Sequence, residues 1–288
     1  MNHGFLRHHV GGVPCLISIN VSPVAARTLL SRFSGVERRA AKSIMDVNLQ
    51  KRAAILSGAA AFAHLPARNI ERLAANATEL TLQRAGVVFA RGSPANGMHL
   101  LATGHLMLTV QAPQGTEHVL ELIQAGDTFG EAAGLNERPH PVTATAITAC
   151  EILYIDRKTL TAEIERDGCF SQRMIALLGE KLYRQSIALE NMLFLRAAGR
   201  VAQFILGRLK MDDVMSPADT LRLALPVRKG LIASHLNMTQ EHFSRTLREL
   251  STDGIIRVDG AMVEVIDIEK LRDAAGVLPA ETTLQAAH

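Results

Sequence analysis

The sequence predicts an α+β chain: a small β-barrel of the jelly-roll kind, then a long helix, then a C-terminal winged helix-turn-helix. Three observations carry this. Six short apolar runs between Thr78 and Asp156 are separated by Gly, Pro and Asn turn signals. From Phe170 to about Leu195, apolar residues recur every three or four positions, with no Pro and no Gly after Gly179. Finally, Leu231 to Arg248 divides into two short helical patterns around a break at Asn237-Met238-Thr239.

Composition narrows the function. A chain of 288 residues has room for two domains and a connector. The net charge of +3 and pI near 8.9 permit a nucleic-acid partner, bound on a local surface because the charges are spread along the chain. No Trp and only two Tyr argue against a stacking platform for single-stranded bases. Cys15, Cys150 and Cys169 lack a C-x-x-C spacing and read as thiols of a reducing cytosol. No apolar run reaches transmembrane length, so no membrane partner is expected. An enzyme is disfavoured, because no Ser/His/Asp set, phosphate loop or metal-ligand spacing is present.

Residues 1–44 read as a flexible extension. Six basic residues (Arg7, Arg27, Arg32, Arg38, Arg39, Lys42) face the single acid Glu37, and Gly11, Gly12, Pro14 and Pro23 interrupt any helix. The run Val10–Ala26 is a poor signal h-region, broken by Pro14, Asn20 and Pro23. Helices are expected from Asp46 to about Gly58 and over Asn69–Ala77. The strands of the barrel follow at Val87–Phe89, Met98–Ala102, His105–Val110, His118–Ile123, Thr143–Ile147 and Glu151–Ile155.

The long helix carries Ile175, Leu178, Leu182, Leu189 and Met192 as a seam, with Gln185 in the missing place. That spacing implies a parallel coiled-coil homodimer, and a lone polar residue in such a seam fixes register. Met174, Leu177 and Leu193 on the other side are expected to pack on the barrel. Met211–Thr220 reads as a polar loop and Leu221–Leu225 as a strand. Gly254 to Ile268 reads as a hairpin with a type I′ turn at Asp259-Gly260. Ala274–His288 reads as a disordered tail.

In the helix-turn-helix, Leu231, Ile232 and Leu236 mark the first helix and Phe243 and Leu247 the inner face of the second. Thr239 is placed to cap the second helix. Gln240, Glu241, Ser244, Arg245 and Arg248 remain on its outer face, and such a helix enters the major groove N-terminus first. Arg245 can donate two hydrogen bonds to a guanine and Glu241 can accept from a cytosine, each good contact worth about 1–3 kcal/mol of discrimination. The plain alternative is a Glu–Arg surface pair one turn apart, worth roughly 0.2–0.5 kcal/mol. Lys229 and Arg257 are candidates for phosphate contact.

The run Thr239-Gln240-Glu241-His242-Phe243-Ser244-Arg245 resembles the recognition helix of the CRP/FNR family of bacterial transcription regulators. Glu241, Ser244 and Arg245 reproduce the Glu-x-x-Ser-Arg arrangement of its FNR branch, whereas Gln240 stands where the cAMP-receptor branch has an arginine. The resemblance covers about Asp46 to Arg272. It implies a dimer on a pseudo-palindromic duplex with a TTGAT-type half-site, RNA polymerase as partner, and a cytoplasmic regulator, activator or repressor. It also implies boundaries: a cyclic-nucleotide-binding-like sensor barrel at 45–168, a dimerisation helix at 169–195, a DNA-binding domain at 196–272 and a tail at 273–288. Met45 stands where family members tend to begin, so it is the expected natural start.

Gly126-Asp127-Thr128-Phe129-Gly130-Glu131 resembles the ligand cassette of the same family, which implies that Gly130 and Glu131 meet a small-molecule effector. Gln185 and Ser186 fall where the cAMP branch touches adenine. The phosphate-binding arginine's place, however, falls on Pro141, followed by Val142, and a phosphate buried without its arginine costs several kcal/mol. Arg138 is either a substitute or a surface-loop residue. This argues against classical cAMP binding, the alternative being a cAMP-responsive regulator with an atypical cassette. His140–Ala144 looks more like the denitrification-regulator branch, where the resemblance implies haem as a gas-sensing cofactor. His64, His99, His105, His118 and His140 lie in or near the barrel without a spaced metal pair. An iron–sulfur cluster is excluded, since it needs four cysteine ligands and the chain has three cysteines. A cyclic-nucleotide-regulated protein that binds no DNA would share the barrel but not Glu241, Ser244 and Arg245. The usual hinge Asp is Arg196 here, so the cap of the first DNA-binding-domain helix is expected to be lost.

Overall fold

The computed structural model describes residues 35–209 and 221–276, with side chains from residue 46 onward. The expectations for residues 1–34, the 211–220 loop and the tail from 277 lie outside these residues. Helix α1 (Gly35–Gly58) begins well before Asp46, so the last part of the supposed extension is helical. The prolines and glycines that discouraged a helix all precede residue 35. Leu56 of α1 packs with Ile70 and Leu73 of α2 (Ala67–Asn76) in one apolar cluster.

Eight strands build the barrel: β1 (Thr78–Leu82), β2 (Val87–Phe89), β3 (Gly97–Thr103), β4 (His105–Gln111), β5 (Glu117–Gln124), β6 (Thr128–Phe129), β7 (Thr143–Ala146) and β8 (Cys150–Asp156). They form two antiparallel four-stranded sheets, ordered β1-β8-β3-β6 and β2-β7-β4-β5. Alternate residues point inward, and Phe89, Leu101, Leu106, Ile123, Phe129, Ala144 and Ile152 fill the space between the sheets. Strand β6 escaped the sequence reading because two residues carry no periodicity. A short helix α3 (Glu131–Leu135) follows it directly.

Helix α4 (Arg157–Arg166) leads into α5 (Gly168–Phe194), the long helix. Phe170, Met174 and Leu177 of α5 are buried against the barrel. Leu193, expected on that same side, is 66% exposed. The helix has left the barrel surface by its last turns, so residues there have no wall to face.

The C-terminal domain comprises α6 (Ala197–Leu206), β9 (Leu221–Ala224), α7 (Lys229–His235), α8 (Gln240–Thr252), β10 (Ile256–Asp259), β11 (Met262–Val265) and α9 (Ile268–Ala274). The wing sheet is antiparallel, ordered β10-β11-β9. In register across it, Ile256, Val265 and Leu221 face the core, while Arg257, Glu264 and Arg222 face out. The β10–β11 turn differs from the expected type I′. Only Gly260 (φ 58°) of its two central residues has positive φ, whereas I′ needs both. Ala261 at the second place resists a left-handed backbone, and a glycine-first turn of the II′ kind suits it. The supposed tail also starts too early: α9 runs through Ala274, and the buried Ala275 accepts from Gln203 at 3.1 Å through its carbonyl. Asp267 caps α9 by accepting from the Lys270 amide at 3.0 Å.

Candidate nucleic-acid interface

The two helices of the helix-turn-helix are held by local chemistry. Asn237 takes a left-handed φ of 52°, which reverses the chain after α7, and the Met238 amide donates back to the Ala233 carbonyl at 3.0 Å. Thr239 Oγ1 accepts from the His242 amide at 3.2 Å, satisfying one of the orphan donors of the helix start. Phe243, Leu247 and Leu250 of α8 are buried, which fixes the opposite face outward. Gln240, Glu241, Arg245 and Arg248 are exposed there and Ser244 is half-buried. Glu241 and Arg245 make no ion pair or side-chain hydrogen bond among the described residues, so the plain surface pair is absent. The outer face therefore presents an acceptor and two guanidinium groups free for base edges or phosphates.

Around it, Lys229 opens α7 and is half-buried, with exposed Arg228 before it. Arg257 is not free: it donates to Glu264 at 2.9 Å, and Arg222 donates to the same carboxylate at 3.2 Å. One mostly buried acid thus gathers two exposed arginines on the outer face of the wing. Sequence reading missed Arg222, although its place two residues into a strand puts it on the face opposite the core.

On α5 the expected seam residues Ile175, Leu182, Leu189 and Met192 are exposed and Leu178 is half-buried. Tyr183, Leu193 and Phe194 add to this apolar surface. Gln185 and Ser186 are exposed, and the Ser186 hydroxyl donates to the Leu182 carbonyl of its own helix at 3.0 Å.

The cassette at β6–α3 is built differently. Glu131 is 3% exposed and paired to Lys181, a residue of α5 that also donates to the Thr128 carbonyl. Glu131 Oε2 and Thr128 Oγ1 are buried without a partner. Burial raises the pKa of nearby Glu121, with Asp127 and Glu131 adding to the rise and Lys181 and Arg184 opposing it. Lys181 was not singled out from the sequence, though it continues the barrel-facing row Met174, Leu177 by one turn. Beyond Glu131, Arg138 and Pro141 are exposed. His140 instead turns inward and stacks on Phe89, ring centroids 3.6 Å apart. His99 stacks on Phe129 at 5.0 Å. A Cβ at Gly130 would lie 3.2 Å from His99 Nδ1 and 3.4 Å from His140 Cε1, so both imidazoles press on the cassette backbone. Burial, with His140 adding, holds the His99 pKa down at about 4, and burial lowers that of His140. Among the described residues, no group of three or more His, Cys, Asp or Glu side chains is placed to hold a metal, and no helix is long and apolar enough to cross a membrane.

Residues 79–167 match the Cyclic nucleotide-binding domain family and residues 199–274 the Crp-like helix-turn-helix domain family. The chain is 26% identical over 217 residues to a CRP-like cAMP-activated global transcriptional regulator of Mycobacterium tuberculosis, covering 75% of this chain and 96% of that one. It is 27% identical over 188 residues to the Cyclic AMP receptor protein of Thermus thermophilus, covering 65% and 83%. FixK2 from Bradyrhizobium japonicum shares the fold, with a TM-score of 0.60 at 24% identity over 69% of this chain and 96% of that structure.

Proposed function

The chain belongs to the CRP/FNR family of DNA-binding transcription regulators, and on that premise we propose that it is a cytoplasmic, effector-gated homodimer reading an FNR-like half-site. The observation that carries the reading is the unpaired outer row of α8, capped by Thr239 and backed by buried Phe243 and Leu247. Arg245 takes a guanine and Glu241 a cytosine, with Ser244 between them. Arg248, Lys229 and Arg228 supply phosphate contacts, which add affinity without sequence information, whereas Arg257 and Arg222 reach a phosphate only in competition with Glu264. Two copies joined along the apolar face of α5 set the recognition helices in major grooves about 34 Å apart, matching a pseudo-palindrome. RNA polymerase is the partner that such a complex recruits.

The gate lies where α5 meets the barrel. Lys181 spans that junction, so a change at the cassette moves the helix that carries both the seam and the hinge. The hinge is weakly specified: Arg196 stands at the N-cap of α6 and offers no side-chain cap. Effector binding shifts the population between two orientations of the DNA-binding domains about this point. The effector we favour is not a cyclic nucleotide phosphate. Its arginine is replaced by Pro141, and buried Glu131 with half-buried Glu121 and Asp127 repels an anion. The named relatives favour a second reading, a cAMP-responsive regulator with an atypical cassette. Calorimetric titration with cAMP separates the two. Haem does not fit between the sheets, where His99 and His140 lie packed on Phe129 and Phe89 and apolar side chains fill the space a porphyrin would need. A Soret band on haem titration of the purified protein would reverse that judgement.

The test of the reading is footprinting on duplexes selected from random sequence by the wild-type chain. Arg245→Ala is expected to abolish specific protection while the dimer mass stays unchanged. Protection of the same site by the variant would remove Arg245 from its role.

A further inference from the structure

Strand β5 is the free edge of its sheet, and an edge strand leaves backbone N–H and C=O groups open to pairing. Its register with β4 breaks between Leu108 and Thr109: Leu108 faces Glu121 and Thr109 faces Val119, so Leu120 is an extra, bulged residue. A bulge re-aims the backbone beside it. Here both re-aimed groups are met by the C-terminal end of α7, more than a hundred residues away in sequence. The Val119 amide donates to Ser234 Oγ at 3.0 Å, and His235 Nδ1 lies 3.1 Å from the Leu120 carbonyl. A carbonyl only accepts, so the ring nitrogen facing it carries the proton.

Apolar contact surrounds these two bonds. Val119 and Leu122 are buried within the same cluster as Val201, Phe204, Ile232 and Ala233 of the DNA-binding domain. Arg208, lying over the Phe204 ring at 5.2 Å, donates to Gln124 Oε1 of β5 at 3.0 Å. His235 stands edge-on to Phe204, and its burial and the Arg208 charge both favour the neutral ring.

We propose that the Leu120 bulge and the Ser234–His235 pair form a docking latch by which the barrel sets the angle of the helix-turn-helix. This rests on the reading of α8 as the DNA-contacting helix. Ser234 and His235 are positioning residues: they touch no base and act through α8. With the latch closed, Gln240, Glu241, Arg245 and Arg248 remain exposed, so docking leaves the reading face open. It fixes the recognition helix against the barrel of its own chain, reducing the orientational freedom lost when a duplex binds.

The test uses the full chain. Backbone hydrogen exchange by NMR is measured for wild type, Ser234→Ala and His235→Ala, together with affinity for a duplex selected by the wild type and for a scrambled duplex. Loss of either bond is expected to speed exchange at the Val119 amide about tenfold and to weaken the selected complex by about the same factor. Exchange at Leu153 in the barrel interior and affinity for the scrambled duplex are expected to hold. Gln124→Ala alters only the barrel side and is expected to weaken the selected complex in the same direction. Unchanged protection at Val119 would mean that the latch does not close. Faster exchange with unchanged duplex affinity, or a tighter complex, would each overturn the positioning role. If the wild type selects no duplex, the DNA-reading assignment falls, while the Val119 amide still decides the latch.

Discussion

On the outer face of α8 the charged side chains Glu241, Arg245 and Arg248 point outward and pair with nothing among the described residues, whereas Glu131 turns inward and pairs with Lys181. Solvent explains the difference. An exposed guanidinium such as Arg245 is hydrated, so it can stay unpaired. A carboxylate that is 3% exposed cannot wait, because burying a charge without a partner costs several kcal/mol. The chain therefore supplies Lys181 to the cassette from its own long helix. On the proposed reading the two sites differ in what an arriving ligand must do: DNA would meet vacant groups, while an effector at Glu131 would have to compete with a resident ammonium.

The sharpest way to break this comparison is to remove the resident cation. Lys181→Met leaves Glu131 buried and uncompensated, and is expected to cost about 3–5 kcal/mol in urea denaturation. Adding Glu131→Gln to the same chain removes the stranded charge and should return most of that loss. Arg245→Ala on α8 should leave the urea midpoint where it was, since nothing in the fold leans on that side chain. Equal midpoints for Lys181→Met and wild type would mean that the cassette, like α8, tolerates an unpaired charge.

Acid offers a second, somewhat smaller separation. His99 is neutral in the fold, its pKa held at about 4 against an ordinary 6.5. The unfolded chain takes up the proton first as pH falls, so this contribution is complete above pH 6.5 and is lost progressively down to about pH 4. Its full size is about 3 kcal/mol. Burial moves His140 in the same direction. Glu121 works with the opposite sign: its raised pKa adds stability below 4.5 that is lost as pH rises through the folded value. Urea titrations at pH 7.5 and 4.5 should show the net acid loss, and His99→Leu should flatten it. A wild-type stability that does not change between these pH values would remove the buried imidazoles as its cause.

How far each site could be read from sequence follows from the same contrast. Thr239, Phe243, Leu247 and the outer row of α8 sit on one continuous helix, where a period of 3.6 residues sorts buried from exposed without tertiary knowledge. Strands β2 to β5 were legible from alternation and turn residues, but the two-residue β6 and the bulge at Leu120 were not. A bulge changes register by one residue and leaves no compositional mark. The cassette could be read only halfway. Gly130 and Glu131 are local in sequence, but their occupant, Lys181, lies fifty residues on, and nothing local says that His140 turns inward while Arg138 turns out. Leu193 and the start of α1 were misjudged for a related reason. Apolar spacing says which residues share a face, but not where the neighbouring wall ends.

The smallest effect belongs to the exposed site and tests it most specifically. Glu241 carries a negative charge towards a polyanion, so its presence adds little to overall affinity and is opposed by the phosphates. Its contribution has to appear as discrimination: a carboxylate accepts from a cytosine amino group and repels the acceptor edge of a guanine. Glu241→Ala should therefore lose about 1–3 kcal/mol of preference at one base pair and leave the other positions unchanged. Competition among four duplexes differing only at that pair would measure it. If all four weaken together, Glu241 is orienting the helix rather than reading a base, and α8 shares more with the internally committed cassette than its free outer face suggests.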